Sequence, residues 1–119
     1  MALTMTPEGG AVYRLTASGM LQKTEFERFQ AALAREIGAH GRVRLLVVLD
    51  RFEGWAPGDD WTDLSFYMTH GDSIERIAIV GDERWRSEML MFAVADLRKA
   101  PVEFFPANKI AEARTWLSQ

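Results

Sequence analysis

The sequence contains no cysteine. That removes disulfides, thiolate nucleophiles and cysteine-ligated zinc together, and it suits a reducing compartment better than a secreted one. Histidine is scarce: only His40 and His70 occur, each followed by glycine, and neither has a metal-binding partner at ligand spacing. Basic residues are scattered, the densest groups being Arg42-Val43-Arg44 and Arg84-Trp85-Arg86, and the formal net charge is -3. A nucleic-acid binder needs a basic face to displace phosphate counterions, so no nucleic acid is expected. The longest strongly apolar run, Leu45 to Leu49, is about a quarter of a membrane span. The first residues show neither a basic region nor an apolar stretch of signal-peptide length. The expected location is the cytoplasm, with a peripheral contact at the inner face of the membrane left open. Nucleophile elbows and glycine-rich phosphate loops are missing as well. Neither a catalytic residue nor a metal ligand nor a cofactor is expected.

What is present is ordinary globular composition, 48% hydrophobic and 26% charged over 119 residues, which predicts a single domain over residues 1–119. Ala2–Met5 and Ala11–Thr16 suit two short strands around the turn Pro7-Glu8-Gly9-Gly10. Thr24-Glu25-Phe26-Glu27 has the form of a capping box. Phe26, Phe29, Leu33 and Ile37 then recur at helical spacing until Gly38 and Gly41. The continuous run Arg44–Asp50 predicts a strand buried on both faces, as in the middle of a parallel sheet. Asp59 and Asp60 are placed to cap a second helix with Trp61, Leu64 and Met68 on one face, ending at His70-Gly71. Ile74–Val80 is the next central strand, and Asp82 caps a helix carrying Trp85, Met89 and Phe92. Val102–Phe105 is a last short strand, and Asn108 caps a final helix with Ile110, Ala113 and Leu117. The order β-β-α-β-α-β-α-β-α predicts an α/β fold: a mostly parallel, mixed sheet of four to five strands with about four helices and right-handed crossovers.

Several of these segments resemble the SpoIIAA-like family, a bacterial branch of the STAS fold. The likeness rests on Leu15-Thr-Ala-Ser-Gly19, Thr24-Glu-Phe-Glu27, Leu45–Asp50 running into Phe52-Glu-Gly-Trp55, Ile74-Glu-Arg-Ile-Ala-Ile-Val-Gly-Asp-Glu-Arg-Trp85, and Phe104-Phe105 leading to Ala113–Leu117. It implies a STAS-like interaction module rather than an enzyme, and a kinship with lipid-carrier folds. Anti-sigma-factor antagonists of this kind are switched by phosphorylation of a serine at the start of the second helix. No serine or threonine occurs between Asp50 and Trp61, so that switch is not carried over.

In open α/β sheets, ligands settle beyond the carboxyl ends of the strands. This points to one rim, Asp50–Trp61 together with Gly81–Trp85. The expected partner-binding residues there are Asp50, Phe52, Gly54, Trp55, Trp61, Gly81, Asp82 and Trp85, joined by His70 at the end of the second helix and by Arg76, expected to pair with Asp50. Phe52 and Trp55 read either as a lid folded on the core or as an exposed contact surface, and Asp82 reads first as a helix cap. The acidic residues Asp50, Glu53, Asp59, Asp60 and Asp63 lack a calcium-loop order and read as a solvated face. Two functions follow, and an unrecognised enzyme using a His70–Asp pair made by folding stays open as a third. The first is a non-enzymatic, regulatory module whose rim holds a protein partner. The second is a binder or carrier of a small apolar or lipid-like ligand, held between the second and third helices and the Phe52–Trp55 lid. The excess of large apolar side chains on those helices, Phe66 and Met91 among them, also leaves room for a homodimer contact.

Overall fold

The computed structural model describes residues 3–119; the expected first strand residue, Ala2, lies outside them. The chain opens with a hairpin, β1 (Leu3–Gly9) and β2 (Val12–Leu21), paired antiparallel. Its two-residue turn, Gly10-Ala11, has φ of +61° at both positions. Positive φ at both central residues is the turn geometry whose twist matches that of the flanking strands. Both strands outrun their expected ends, because alternation continues past the sequence cues: Tyr13, Leu15 and Ala17 are buried, while Arg14 and Thr16 face the other side of the sheet.

Three parallel strands follow, β3 (Val43–Trp55), β4 (Ile74–Gly81) and β5 (Val102–Pro106), giving one sheet in the order β1-β2-β3-β4-β5. Between them run α1 (Lys23–His40), α2 (Ser65–His70) and α3 (Arg86–Phe92), and α4 (Ile110–Leu117) closes the chain. Crossovers of one hand stepping in one direction across the sheet bring their helices to the same face. The apolar residues of α1 and α3 accordingly join Leu15, Leu45, Ile77 and Ile79 in one core. On the opposite face α4 buries Ala113 and Leu117 against Leu46, Ala78 and Val80. Residues 45–49 and 77–80 therefore meet helices on both sides, which is why their sequence does not alternate.

Several local expectations are corrected. The Thr24–Glu27 capping box does not form: α1 begins at Lys23 with Gln22 as its cap residue and no side-chain cap bond. Instead the Lys23 amide donates to Asp59 Oδ2 at 3.3 Å, so a loop carboxylate distant in sequence takes up an early donor of the helix. Asp59 and Asp60 do not cap α2, which begins five residues after Asp60; Asp60 Oδ1 accepts from the Thr62 amide and hydroxyl, and Asp63 Oδ1 accepts from the Ser65 amide. Trp61, Leu64 and Met68 share no helix face, since the first two precede the helix and Met68 is 80% exposed. Asn108 lies in the turn before α4, whose cap position is Lys109, without a side-chain bond. Asp82 does cap, accepting the Arg84 amide at 3.0 Å ahead of the 3-10 turn Glu83–Trp85.

Candidate functional site

The carboxyl ends of β3 and β4 do reach one rim, because the two strands run parallel in register from Val43↔Ile74 to Val48↔Val80. β3 then continues alone beyond β4 and pairs with the end of β2, setting Phe52 against Gly19, Gly54 against Met20 and Trp55 against Leu21. Irregular register there coincides with Arg51 at φ +51°. An extra residue in a strand re-aims the side chains that follow, and here Phe52 turns into the core.

Phe52 is 4% exposed and stacks edge-on against Trp55 and Trp85, with ring centroids 5.2 and 5.0 Å away. Trp55 lies 5.2 Å from Phe92, and its buried Nε1 has no hydrogen-bond partner among the described residues. Gly54 is tied to this cluster: at φ +104°, a Cβ would stand 3.4 Å from the Trp85 ring. Of the two expected roles, lid on the core or exposed contact, Phe52 takes the first. It is a strand residue, however, not a loop residue.

Below this aromatic layer, between the sheet and α1–α3, lies an apolar cavity of about 130 Å³. Leu15, Ala17, Leu45, Val47, Ile77 and Ile79 of the sheet form its floor. Phe26, Phe29 and Leu33 of α1 form one wall, and Met89 and Phe92 of α3 another; Phe66 and Tyr67 come from α2. Trp61 and Leu64 of the loop 56–64 also line it, whereas Phe52 and Trp55 do not. Trp61 and Leu64 thus line the cavity where Phe52 and Trp55 were expected. Trp61 is positioned by its Nε1, which donates to the Ala56 carbonyl at 3.2 Å, and by ring contacts with Phe26 and Phe92.

Near Trp61 the lining of the cavity is polar. Lys23, Asp60 and Asp63 line it, and the Lys23 ammonium donates to the Asp60 carbonyl. The hydroxyl of Thr62 holds the Asp60 carboxyl below its ordinary range, and the Ser65 amide does the same for Asp63. Oδ1 of each accepts from Thr62 or Ser65, and among the described residues no group of three His, Asp or Glu converges as a metal site would require.

The other expected site residues fall as follows. Asp50 is exposed and sits 3.7 Å from Arg51. The Asp50–Arg76 pair does not exist: Arg76 is opposite Arg44 at the amino end of β4, about a strand length from Asp50. Arg76 instead donates to the Trp116 carbonyl at 3.1 Å and lies over the Trp116 ring. His70 is half-buried, its ring 4.8 Å from Phe66. Gly81 is buried against Leu49. The cavity therefore gathers Trp61 alone of the expected set. Residues of α1, Tyr67, Met89 and Arg98 were not among the expected site residues: those of α1 and Met89 fall at helical core spacing, and no local motif marks Arg98.

The model of the SpoIIAA-like family matches residues 12–118. The chain belongs to the SpoIIAA-like family. Among solved structures, it is similar to an uncharacterized protein from the DUF3478 family with a SpoIIAA-like fold from Shewanella loihica PV-4, at 18% identity and a TM-score of 0.73, over 98% of this chain and 92% of that one. No curated protein matches the chain. In this SpoIIAA-like chain, the segment 50–61 contains no hydroxyl residue, but the second helix starts later than expected, and its first residue is Ser65. Among the described residues no helix is long and apolar enough to cross a membrane.

Proposed function

We propose that this chain is a non-enzymatic binding module that holds a small apolar ligand in the cavity between the sheet and α1–α3. The observation that carries this reading is the cavity itself, because well-packed cores seldom contain voids larger than a water molecule. At about 130 Å³ it is close to an engineered apolar cavity of roughly 150 Å³ that takes up benzene. The protein-partner reading drew its strength from aromatic residues at the rim; with Phe52 in the core, that surface is mainly polar.

A six-carbon ligand fits this volume. At roughly 0.6 kcal/mol per non-hydrogen atom, inside the range for small ligands, 1-hexanol should bind with a Kd on the order of 1 mM. The test is a titration with 1-hexanol followed by tryptophan fluorescence, since Trp61 lines the cavity. Saturable binding is expected, and Ala17→Ile, which adds carbon atoms to the floor, should weaken it about tenfold while the protein stays folded. A linear, unsaturable response, or full binding in folded Ala17→Ile, overturns the reading.

A second observation favours a contact at a lipid surface. Met68 and Met91 are each 80% exposed and Leu97 is 64% exposed, on α2, α3 and the turn after it. Methionine suits adaptable apolar contacts. Peripheral association with a membrane would cover such side chains.

A further inference from the structure

One end of the cavity holds a cation. Arg98 lines the cavity, in the segment joining α3 to β5. Its Nε donates to the Ala93 carbonyl at 2.7 Å, and its guanidinium lies over the Tyr67 ring at 5.0 Å. Tyr67 is fixed in turn by donating its hydroxyl to the Leu97 carbonyl at 2.9 Å. Arg98 Nη1 is buried and has no hydrogen-bond partner among the described residues. A guanidinium nitrogen left without an acceptor in an apolar setting is costly, and burial holds the Arg98 pKa below its ordinary value.

The backbone that presents Arg98 is strained. Val94 has φ +57°, a conformation that β-branched residues adopt only as outliers. Its carbonyl accepts from the amides of Leu97 and Arg98, at 3.1 and 3.2 Å. Strain of this kind persists where the surroundings fix it and tends to collect at ligand clamps.

The two ends of the cavity differ in sign. Asp60 and Asp63 stand at the carboxyl end of the sheet, beside Lys23 at the start of α1. Arg98 stands near the opposite end, four residues before β5 and against Gly71, three residues before β4. We propose that the ligand is an apolar monocarboxylic acid whose carboxylate pairs with Arg98 and whose hydrocarbon body fills the space toward Trp61. A carboxylate suits this end better than a phosphate. Nε is already taken by Ala93, so the guanidinium cannot offer its full fork, and a more highly charged head would need further donors there.

This inference rests on the ligand-binding reading of the cavity, and the test separates the two. Hexanoate and 1-hexanol share a chain length and differ in the head group. Calorimetric titration of each at neutral pH into the wild-type protein should show hexanoate binding about tenfold tighter, the gain usual for a hydrogen bond to a charged partner. In Arg98→Met, of similar length but uncharged, hexanoate should lose that advantage while 1-hexanol binding is kept; Arg98→Gln serves should the methionine variant not fold. If 1-hexanol binds the wild type at least as tightly as hexanoate, the carboxylate assignment is overturned and the cavity reading stands. An undiminished hexanoate preference in either folded variant also overturns it. If neither compound binds, both readings fail together.

Discussion

At the scale of single residues, close approach decides more than chemical identity. A Cβ on Gly81 would lie 2.7 Å from Leu49 Cδ1 and 2.8 Å from Leu49 Cβ. The nearer atom is on a rotatable tip, but the Cβ is fixed to the backbone of β3, so rotation cannot relieve the clash. Gly81→Ala should destabilise the fold by about 1–3 kcal/mol, the range for overpacking a core, and Leu49→Gly, which removes that Cβ, added to it should cost less than the two single changes summed. Denaturant unfolding of the four proteins measures both effects. Gly81 was readable only as a strand-to-helix turn, since nothing in a sequence shows which side chain lies across from a glycine. Asp82 was legible because a cap is a local device. Arg98 was not, because its burial comes from elements distant in the chain.

Elements were legible where their cause was local in sequence and shifted where it was not. The hydrophobic runs of β3 and β4 and the helical spacing of Phe26, Phe29 and Leu33 were sufficient. The end of β3 was misjudged because Arg51-Phe52-Glu53-Gly54 has loop composition, and the pairing that makes it a strand comes from Gly19–Leu21 of β2. The start of α2 was misplaced because Asp59 and Asp60 bind a distant helix end and their own loop instead. A tie between the two ends of the chain was equally invisible. Arg114 of α4 donates from Nε and Nη2 to Glu8 of β1, at 3.0 and 3.1 Å, and these bonds hold the Glu8 carboxyl below its ordinary value. Because the folded-state pKa is depressed, the stabilisation is fully present above the unfolded glutamate value near ~4.3 and disappears as pH falls through the folded value. Wild-type protein should therefore lose more stability than Glu8→Gln on acidification below about pH 4.5. The difference should stay under about 1 kcal/mol, because the pair is partly exposed. Thermal unfolding of both proteins across pH 3–6 checks this.

For the whole molecule, the distribution of helices accounts for the cavity. The thin layer on one face is α4, eight residues long, closing on Leu46, Ala78 and Val80. The other face must be covered by one long helix and two short ones, α2 of six residues and α3 of seven. Short helices joined by long turns leave space between their walls and the sheet, and ring contacts among Phe26, Trp61 and Phe92 tie α1, the loop 56–64 and α3 together around it. The parallel arrangement and the rim were readable from strand order, but the cavity was not, since a void is a property of packing and not of any segment. Methyl NMR during a titration with 1-hexanol tests its role most directly. Saturable shifts should appear at Leu33, Leu45, Ile77, Ile79 and Met89, with little change at Leu46 and Val80 beneath α4 or at Leu117 of α4 itself. Shifts that never saturate, or that are largest on the α4 side, would contradict the account.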